Sequence, residues 1–253
     1  MPRVLITAGG AGIGRAMGHA FDAAGYDVWV SDLSAQALSQ VPAHWRTSHV
    51  DVINEDQMAA LFEDISKDWG GLDVLCANAG VAGPTAAVED IQLADWQACV
   101  SVNLDGAFLA VKYAVPMMKA AKSGAIVMTS STTGQYGYPN RSPYCAAKWA
   151  VIGLAKTLAM ELGTFDVRCN VICPGSVIGD RMEGVLQREA QAKGMTRDQV
   201  YQGYASGTSL GRFVEASEVA DMAVFLSGPA SAAISGQVIA VDGHTVNPDP
   251  KAD

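Results

Sequence analysis

Tyr144 and Lys148, four residues apart, are the pair whose types and spacing point most directly to chemistry. On a helix that spacing sets both side chains on one face. An ammonium beside a phenol favours the phenolate and draws the phenol's pKa down from about 10 toward working pH. The result is a general acid/base matched to an alcohol or a carbonyl. Ser131 closes an apolar run just upstream and can hydrogen-bond the same substrate oxygen. Taken alone, Tyr-x-x-x-Lys is also an ordinary amphipathic pair, and the elements around it have to decide between the two readings.

Ala125-Ile-Val-Met reads as a short buried strand. Gly134, Gly137 and Pro139 then break the chain into a loop. Ala-rich sequence from Tyr144 to Leu162 favours a helix. Near the N-terminus, the apolar run Val4-Leu-Ile meets Thr7-Ala-Gly-Gly-Ala-Gly-Ile-Gly14, a helical segment to Ala24, and a strand Asp27–Asp32. Glycines in such a turn let backbone approach a pyrophosphate, and the helix N-terminus adds free N–H groups and a partial positive charge. Asp32, eighteen residues after Gly14, suits an acid that binds the adenosine ribose hydroxyls. A carboxylate there repels a 2′-phosphate. No Lys or Arg follows it in Leu33-Ser-Ala-Gln, and position 11 is Ala. NAD(H) is therefore expected over NADP(H). The alternative is a tight turn that binds nothing.

His49-Val-Asp51-Val52 reads as a third strand end. Asp51 there either accepts from an adenine amino group, with Val52 against the ring, or simply closes a turn. Asn54 is a plausible cap for a helix to Trp69. Leu72–Ala77 is a strand running into Asn78-Ala79-Gly80, small enough for backbone contact with a cofactor, with Asn78 able to tie neighbouring strands. Leu93–Met118 reads as one long helix. Asn103 within it needs a partner, local or functional, because a buried amide without one is costly. Asp166–Cys173 is a sixth strand ending at Pro174-Gly175-Ser-Val177. Residues 180–210 read as a mobile helical flap over the substrate, or else as a surface insertion. Ser217 is expected to cap a helix to Ser227, Gly236–Val241 forms a seventh strand, and 244–253 is a polar tail.

Strands alternating with helices imply one α/β domain over residues 1–253. The expected fold is a Rossmann-type, doubly wound parallel sheet of about seven strands with helices on both faces. Ligands in such sheets sit at the carboxyl ends of strands, near the reversal of strand order. Every motif above lies at or after such an end.

A net charge of −9 without a Lys/Arg cluster argues against nucleic-acid binding. There is no uncharged apolar run of 18 residues, so no membrane span is expected. Arg3-Val-Leu-Ile begins a strand at once, which leaves no signal-peptide pattern. Five cysteines in or near apolar stretches, with no C-x-x-C, suit a reduced cytoplasmic compartment. The four histidines lack metal-ligand spacing, and no metal is expected.

The cofactor turn, Asn78-Ala-Gly, Asn103, Ser131, Tyr144-x-x-x-Lys148 and Pro174-Gly occur in the order and spacing of a known family. The chain resembles the short-chain dehydrogenases/reductases over nearly its whole length. That resemblance implies an oxidoreductase that interconverts a secondary alcohol and a ketone. Tyr144 would be the acid/base, Lys148 would lower its pKa and hold the nicotinamide ribose, and Ser131 would orient the substrate oxygen. Asn103 would position a water in a relay to Lys148. In oxidation, Tyr144 would take the hydroxyl proton while hydride passes to the nicotinamide. The implied cofactor contacts are Gly9, Gly12, Ile13, Gly14, Asp32, Leu33, Asp51, Val52, Asn78, Ala79, Gly80, Tyr144, Lys148, Pro174, Gly175 and Val177, the last through its backbone. The family usually assembles as a homotetramer or homodimer through the helices carrying Asn103 and Tyr144. The chain departs from the pattern at three places. Ala8 replaces the first glycine of the turn, with Gly9 and Gly10 expected to preserve the loop. Gly179 stands where a Thr is common. His244 stands where a Gly is common, and with the tail is expected to shape an active-site rim.

The substrate is less legible. Thr133, Tyr138, Arg141 and Arg181 are candidate contacts. An inward arginine suits a carboxylate, sulfonate or phosphate, whereas a surface arginine carries no such meaning. A small polar alcohol (a polyol, sugar acid or hydroxy acid) is the first reading. Reduction of a 3-oxoacyl thioester is the second; NADPH and a basic docking patch would suit it, and Asp32 and the net charge count against both. A non-catalytic dinucleotide-binding regulator is the third, and it would normally have lost Tyr144 or Lys148.

Overall fold

The computed structural model describes residues 1–247; residues 248–253, most of the expected tail, lie outside the described residues. In chain order the elements are β1 (Arg3–Thr7), α1 (Gly12–Ala23), β2 (Asp27–Asp32), α2 (Ala35–Leu38), β3 (Arg46–His49), α3 (Glu55–Trp69), β4 (Val74–Ala77) and α4 (Leu93–Val100). There follow α5 (Gly106–Ala121), β5 (Gly124–Thr129), α6 (Ser142–Leu162), β6 (Val167–Pro174), α7 (Asp180–Lys193), α8 (Arg197–Ser206), α9 (Ala216–Ser227) and β7 (Val238–Val241). The seven strands form one parallel sheet in the order β3-β2-β1-β4-β5-β6-β7. The order reverses between β1 and β4, and the crevice at their carboxyl ends is where such sheets take ligands.

Strand sequence alone explains why the sheet is covered on both faces. Trp29, Leu5, Leu75, Ile126 and Cys169 stand side by side across five strands and all face one core. One residue earlier, Val28, Val4, Val74 and Ala125 align and all face the other. Successive side chains point to opposite faces, and here both are apolar, as in a sheet buried on two sides. α3, α5 and α6 cover the first core, and α1 and α9 cover the second. Burial of each large side chain is worth roughly 1.5–3 kcal/mol.

Several expectations need correction. The helix expected over Leu93–Met118 is interrupted by a π-helical turn at Ser101–Asp105. Extra backbone in such a turn breaks the i→i−4 ladder and frees a carbonyl. Ser217 does not cap α9: the cap is Glu215, whose N–H donates to Glu218 Oε2 at 2.8 Å. Asn54 does cap α3, accepting from Gln57 N at 3.0 Å. The helical run Leu93–Ala121 is long and apolar enough, by length and composition, to cross a bilayer. Here α5 packs against α3, β4 and β5, and Asn103 lies buried within the run.

Candidate active site

A cleft of about 930 Å³ opens at the carboxyl ends of the strands. Its first wall is the turn from β1 into α1. The N-cap of α1 is Ala11, with no side-chain cap and no acid in the first turn. The first N–H groups of the helix therefore have no partner from the helix's own cap. Gly12 has φ +51° with nothing within 4 Å of where a Cβ would stand, so the backbone there is open to a ligand. Gly14 is closely packed: a Cβ would lie 2.1 Å from Ala8 O. Ala8 itself adopts φ +51°, which no side chain favours. The loop thus keeps its shape through a strained alanine. Gly9 and Gly10 serve the loop through closeness, since a Cβ on either would strike Val30 or Ala37. At the tip of β2, Asp32 accepts from Gly10 N–H at 3.0 Å and from Ser34 N–H at 2.9 Å, so its carboxylate is fixed beside the turn.

The floor is tied across three strands. Thr7 Oγ1 accepts from Asn78 N–H and Ala79 N–H at 3.0 and 3.1 Å. The Asn78 amide donates to Thr7 O, and Asn78 Oδ1 accepts from Thr129 Oγ1. This holds Gly80 against two buried groups: a Cβ there would stand 2.6 Å from Asn103 Oδ1 and 3.2 Å from Lys148 Nζ. Asn103 sits in the π turn and donates from Nδ2 to Cys99 O at 2.8 Å and Val81 O at 3.0 Å. Its Oδ1 is buried with no protein partner among the described residues. Lys148 is buried, and its Nζ donates to Thr129 O at 2.9 Å. An ammonium has three donors, so the others remain for a ligand.

Tyr144 is buried one helical turn before Lys148. Arg141, Lys148 and Arg181 place their charges 5.0, 5.7 and 5.9 Å from its ring centre, and Arg181 Nη2 donates to its hydroxyl at 3.4 Å. Burial pushes the Tyr144 pKa up. Arg181, Lys148 and Arg141, in that order, and a hydrogen bond from Ser131 outweigh it, so the phenol is held below its usual 10. Burial also pulls Lys148 below its ordinary value, against the attraction of Tyr144. The group is a proton exchanger set between cations.

The second wall is formed by residues of α7 and α8. α7 and α8 have an apolar cluster of their own, built on Leu186, Val200, Tyr204 and Phe213. A buried polar network joins it to the loop before α6. Glu189 accepts from Tyr204 Oη at 2.6 Å, and its carboxylate lies 3.7 Å from Arg141 Nη1 and 3.6 Å from Lys193 Nζ. Tyr138 stacks on Tyr204 with ring centres 5.9 Å apart. Arg141 thus faces inward, while Arg188 stays exposed.

A family model described as enoyl-(acyl carrier protein) reductase matches residues 7–244. Trans-4-hydroxycyclohexanecarboxylate dehydrogenase of Sinomonas cyclohexanicum is 34% identical over 252 residues, covering 94% of this chain and 90% of that protein. The 3-oxoacyl-[acyl-carrier-protein] reductase FabG of Thermotoga maritima is 33% identical over 249 residues, covering 96% of each. The chain belongs to the short-chain dehydrogenase/reductase family. The crystal structure of NAD+-bound xylitol dehydrogenase superposes with a TM-score of 0.93 at 26% identity, covering 96% of this chain and 98% of that one. As a member of this family the chain is an oxidoreductase of hydroxy compounds that uses a nicotinamide dinucleotide.

The residues present fit such a cofactor. The uncapped α1 N-terminus and open Gly12 suit a pyrophosphate, Asp32 suits a ribose diol, and Lys148 keeps free donors beside the orphaned Asn103 Oδ1. Of the residues expected at the site, Gly12, Ile13, Gly14, Asp32, Asn78, Gly80, Ser131, Thr133, Tyr138, Arg141, Tyr144, Lys148, Pro174, Gly175, Val177 and Arg181 line the cleft. Asn103 meets it through Gly80. Gly9, Leu33, Asp51, Val52 and Ala79 are not on its lining. Leu33 is exposed, Val52 is buried against the place of a Gly106 Cβ, and Asp51 Oδ1 accepts from Ile53 N–H, closing its own turn. His244 is also absent from the cleft: it bonds Ser209 Oγ at 2.7 Å beside a separate shallow pocket. Lining residues outside the expected contacts include Gly10, Arg15, His19, Met182, Val185 and Tyr204. Arg15 and His19 share the first two turns of α1, and that helical spacing was the available signal. Nothing local to Tyr204 signals its place, because it depends on how α8 packs.

Proposed function

We propose that the chain is an NAD(H)-dependent dehydrogenase that interconverts a small polar secondary alcohol and its ketone. The observation that carries this reading is Tyr144, buried, accepting from Arg181 and set beside Lys148, with its proton held less tightly than in a free phenol. In the oxidative direction Tyr144 takes the carbinol proton, and Ser131 holds the same oxygen. Lys148 stabilises the phenolate and binds the nicotinamide ribose. Asn103 Oδ1, buried and unpartnered, holds a water that passes protons to Lys148. The bound nicotinamide supplies the hydride acceptor or donor. The preference for NAD(H) rests on Asp32, whose fixed carboxylate repels a 2′-phosphate. Arg15 on the cleft is the one residue that argues the other way.

Residues 180–210 cover the substrate end, with Met182, Val185 and Tyr204 on the cleft. Phe108 on α5 and Trp149 and Met160 on α6 are exposed apolar groups, which fits assembly as a homotetramer or homodimer through those helices. Five buried, unpaired thiols fit a reducing cytoplasmic compartment. The Thermotoga maritima relative keeps 3-oxoacyl-thioester reduction as a second reading. One experiment separates these: steady-state assays of polar alcohols with NAD and NADP, beside acetoacetyl thioester reduction. Tyr144→Phe should lower kcat by about 10³-fold or more while NADH still binds. Near-normal turnover by that variant would remove Tyr144 from its role.

A further inference from the structure

We infer that Arg181 and Thr133 form a carboxylate subsite beside Tyr144, and that the substrate is a small hydroxy acid. This deepens the proposed function and rests on Tyr144 as the proton exchanger.

The first observation is what Arg181 lacks. Arg197 and Arg212 pair with Glu183 and Glu218 at 2.6 and 2.7 Å, and Arg141 faces Glu189. Arg181 has no acidic partner among the described residues, although the chain carries 26 Asp and Glu against 17 Lys and Arg. It is the second residue of α7, exposed at the rim of the cleft, and its guanidinium donates to the Tyr144 hydroxyl. Glu189 offsets the charge of Arg141, so Lys148 and Arg181 leave the reaction centre positively charged within an acidic protein. A planar fork of donors is built for a carboxylate. The second observation is independent. Thr133 Oγ1 is buried, its residue lines the same cleft, and its side chain meets no stronger partner than the Cys145 thiol among the described residues. A buried hydroxyl left without a strong partner is costly, and a ligand oxygen satisfies it.

The distances bound the size of the acid. A carbinol oxygen bonded to Tyr144 sits about 2.7 Å from the phenol oxygen, and a carboxylate oxygen about 2.8 Å from a guanidinium nitrogen. Arg181 Nη2 is 3.4 Å from that phenol. The two substrate oxygens are then at most about 9 Å apart, so one small molecule can carry both the carbinol and the carboxylate.

The test compares 2- and 3-hydroxy acids with their methyl esters as substrates for the full chain and NAD. In Arg181→Gln, the ratio of kcat/KM for acid to that for ester should fall on the order of 10²-fold, the value of a charge-assisted hydrogen bond. Arg181→Lys should restore part of it, and Thr133→Val should lower the same ratio several-fold. A second readout needs no turnover. Malonate titrated into the NADH-bound protein, followed by nicotinamide fluorescence, should bind on the order of 10²-fold more weakly to Arg181→Gln. Equal losses for acid and ester, or an unchanged malonate Kd, would overturn the subsite: Arg181 would then act only on the Tyr144 proton. A wild-type protein that oxidises neutral alcohols but no hydroxy acid would overturn the subsite and leave the dehydrogenase standing. One that oxidises neither class would bring down both.

Discussion

Along the β1–α1–β2 wall of the cleft, the groups nearest the turn are backbone amides and one carboxylate pinned by backbone, with the Arg15 and His19 side chains alongside. Along the α7–α8 wall they are side chains: Arg181, Tyr204, and the buried Glu189 behind them. The first wall has almost no freedom, because the glycines at 9, 10 and 14 pack backbone against backbone or against Val30 and Ala37. The second is held by charge and by a small apolar cluster separate from the two main cores. A wall of amides recognises what every member of a cofactor class shares. A wall of side chains can change its ligand by changing two or three residues, without touching the sheet.

The contrast can be broken by substitution. Glu189→Ala should have the largest effect, since it strands the buried Arg141 guanidinium and costs about 3–5 kcal/mol. Denaturant unfolding would read the loss. Limited proteolysis should place the new cleavage within residues 180–210, and cleavage elsewhere would refute a flap held by this network. On the other wall, Gly14→Ala should weaken NADH about 100-fold by fluorescence titration, because its Cβ meets Ala8 O at 2.1 Å. An unchanged Kd would mean the turn is looser than its packing.

The pH profile joins the two walls at Tyr144. Oxidation needs the phenolate, and Tyr144 is held below its usual 10, burial being outweighed by Arg181, Lys148 and Arg141. The rate of oxidation should therefore rise with pH and level off once pH exceeds that lowered pKa. Reduction needs the phenol and should fall over the same range. Arg181→Gln removes the largest of the opposing cations, so both limbs should move to higher pH; a fixed profile would separate Arg181 from the phenol. The smallest effect belongs to the turn: Ala8→Gly relieves φ +51° and should stabilise the protein by up to about 1 kcal/mol, read as a higher midpoint of unfolding.

Legibility differed along the same division. Most strands were readable as short continuous apolar runs, α1 and α3 from apolar residues at helical spacing, and α6 from its Ala-rich sequence. β3 was readable only at its end, because Arg46-Thr-Ser-His is a polar edge strand with no such repeat. The π turn at Asn103 left no mark in the Leu93–Met118 pattern, since one extra residue in a long apolar helix scarcely disturbs periodicity. Asp51 and His244 look alike in sequence to ligand contacts, and the structure adds a local bond to each: Asp51 Oδ1 accepts from Ile53 N–H, and His244 bonds Ser209 Oγ.

From sequence alone came the doubly wound parallel architecture, the cofactor turn with its acid, and the Tyr-x-x-x-Lys pair, because each depends on residues close in the chain whose spacing maps onto one helix face or one turn. Only the tertiary structure decided which arginines face Tyr144, that Glu189 is buried behind them, and that Asn103 reaches Lys148 across Gly80. Apart from Arg141, three residues before Tyr144, those contacts join residues dozens of positions apart, and their geometry is set by how helices pack on the sheet, a property that no local spacing encodes.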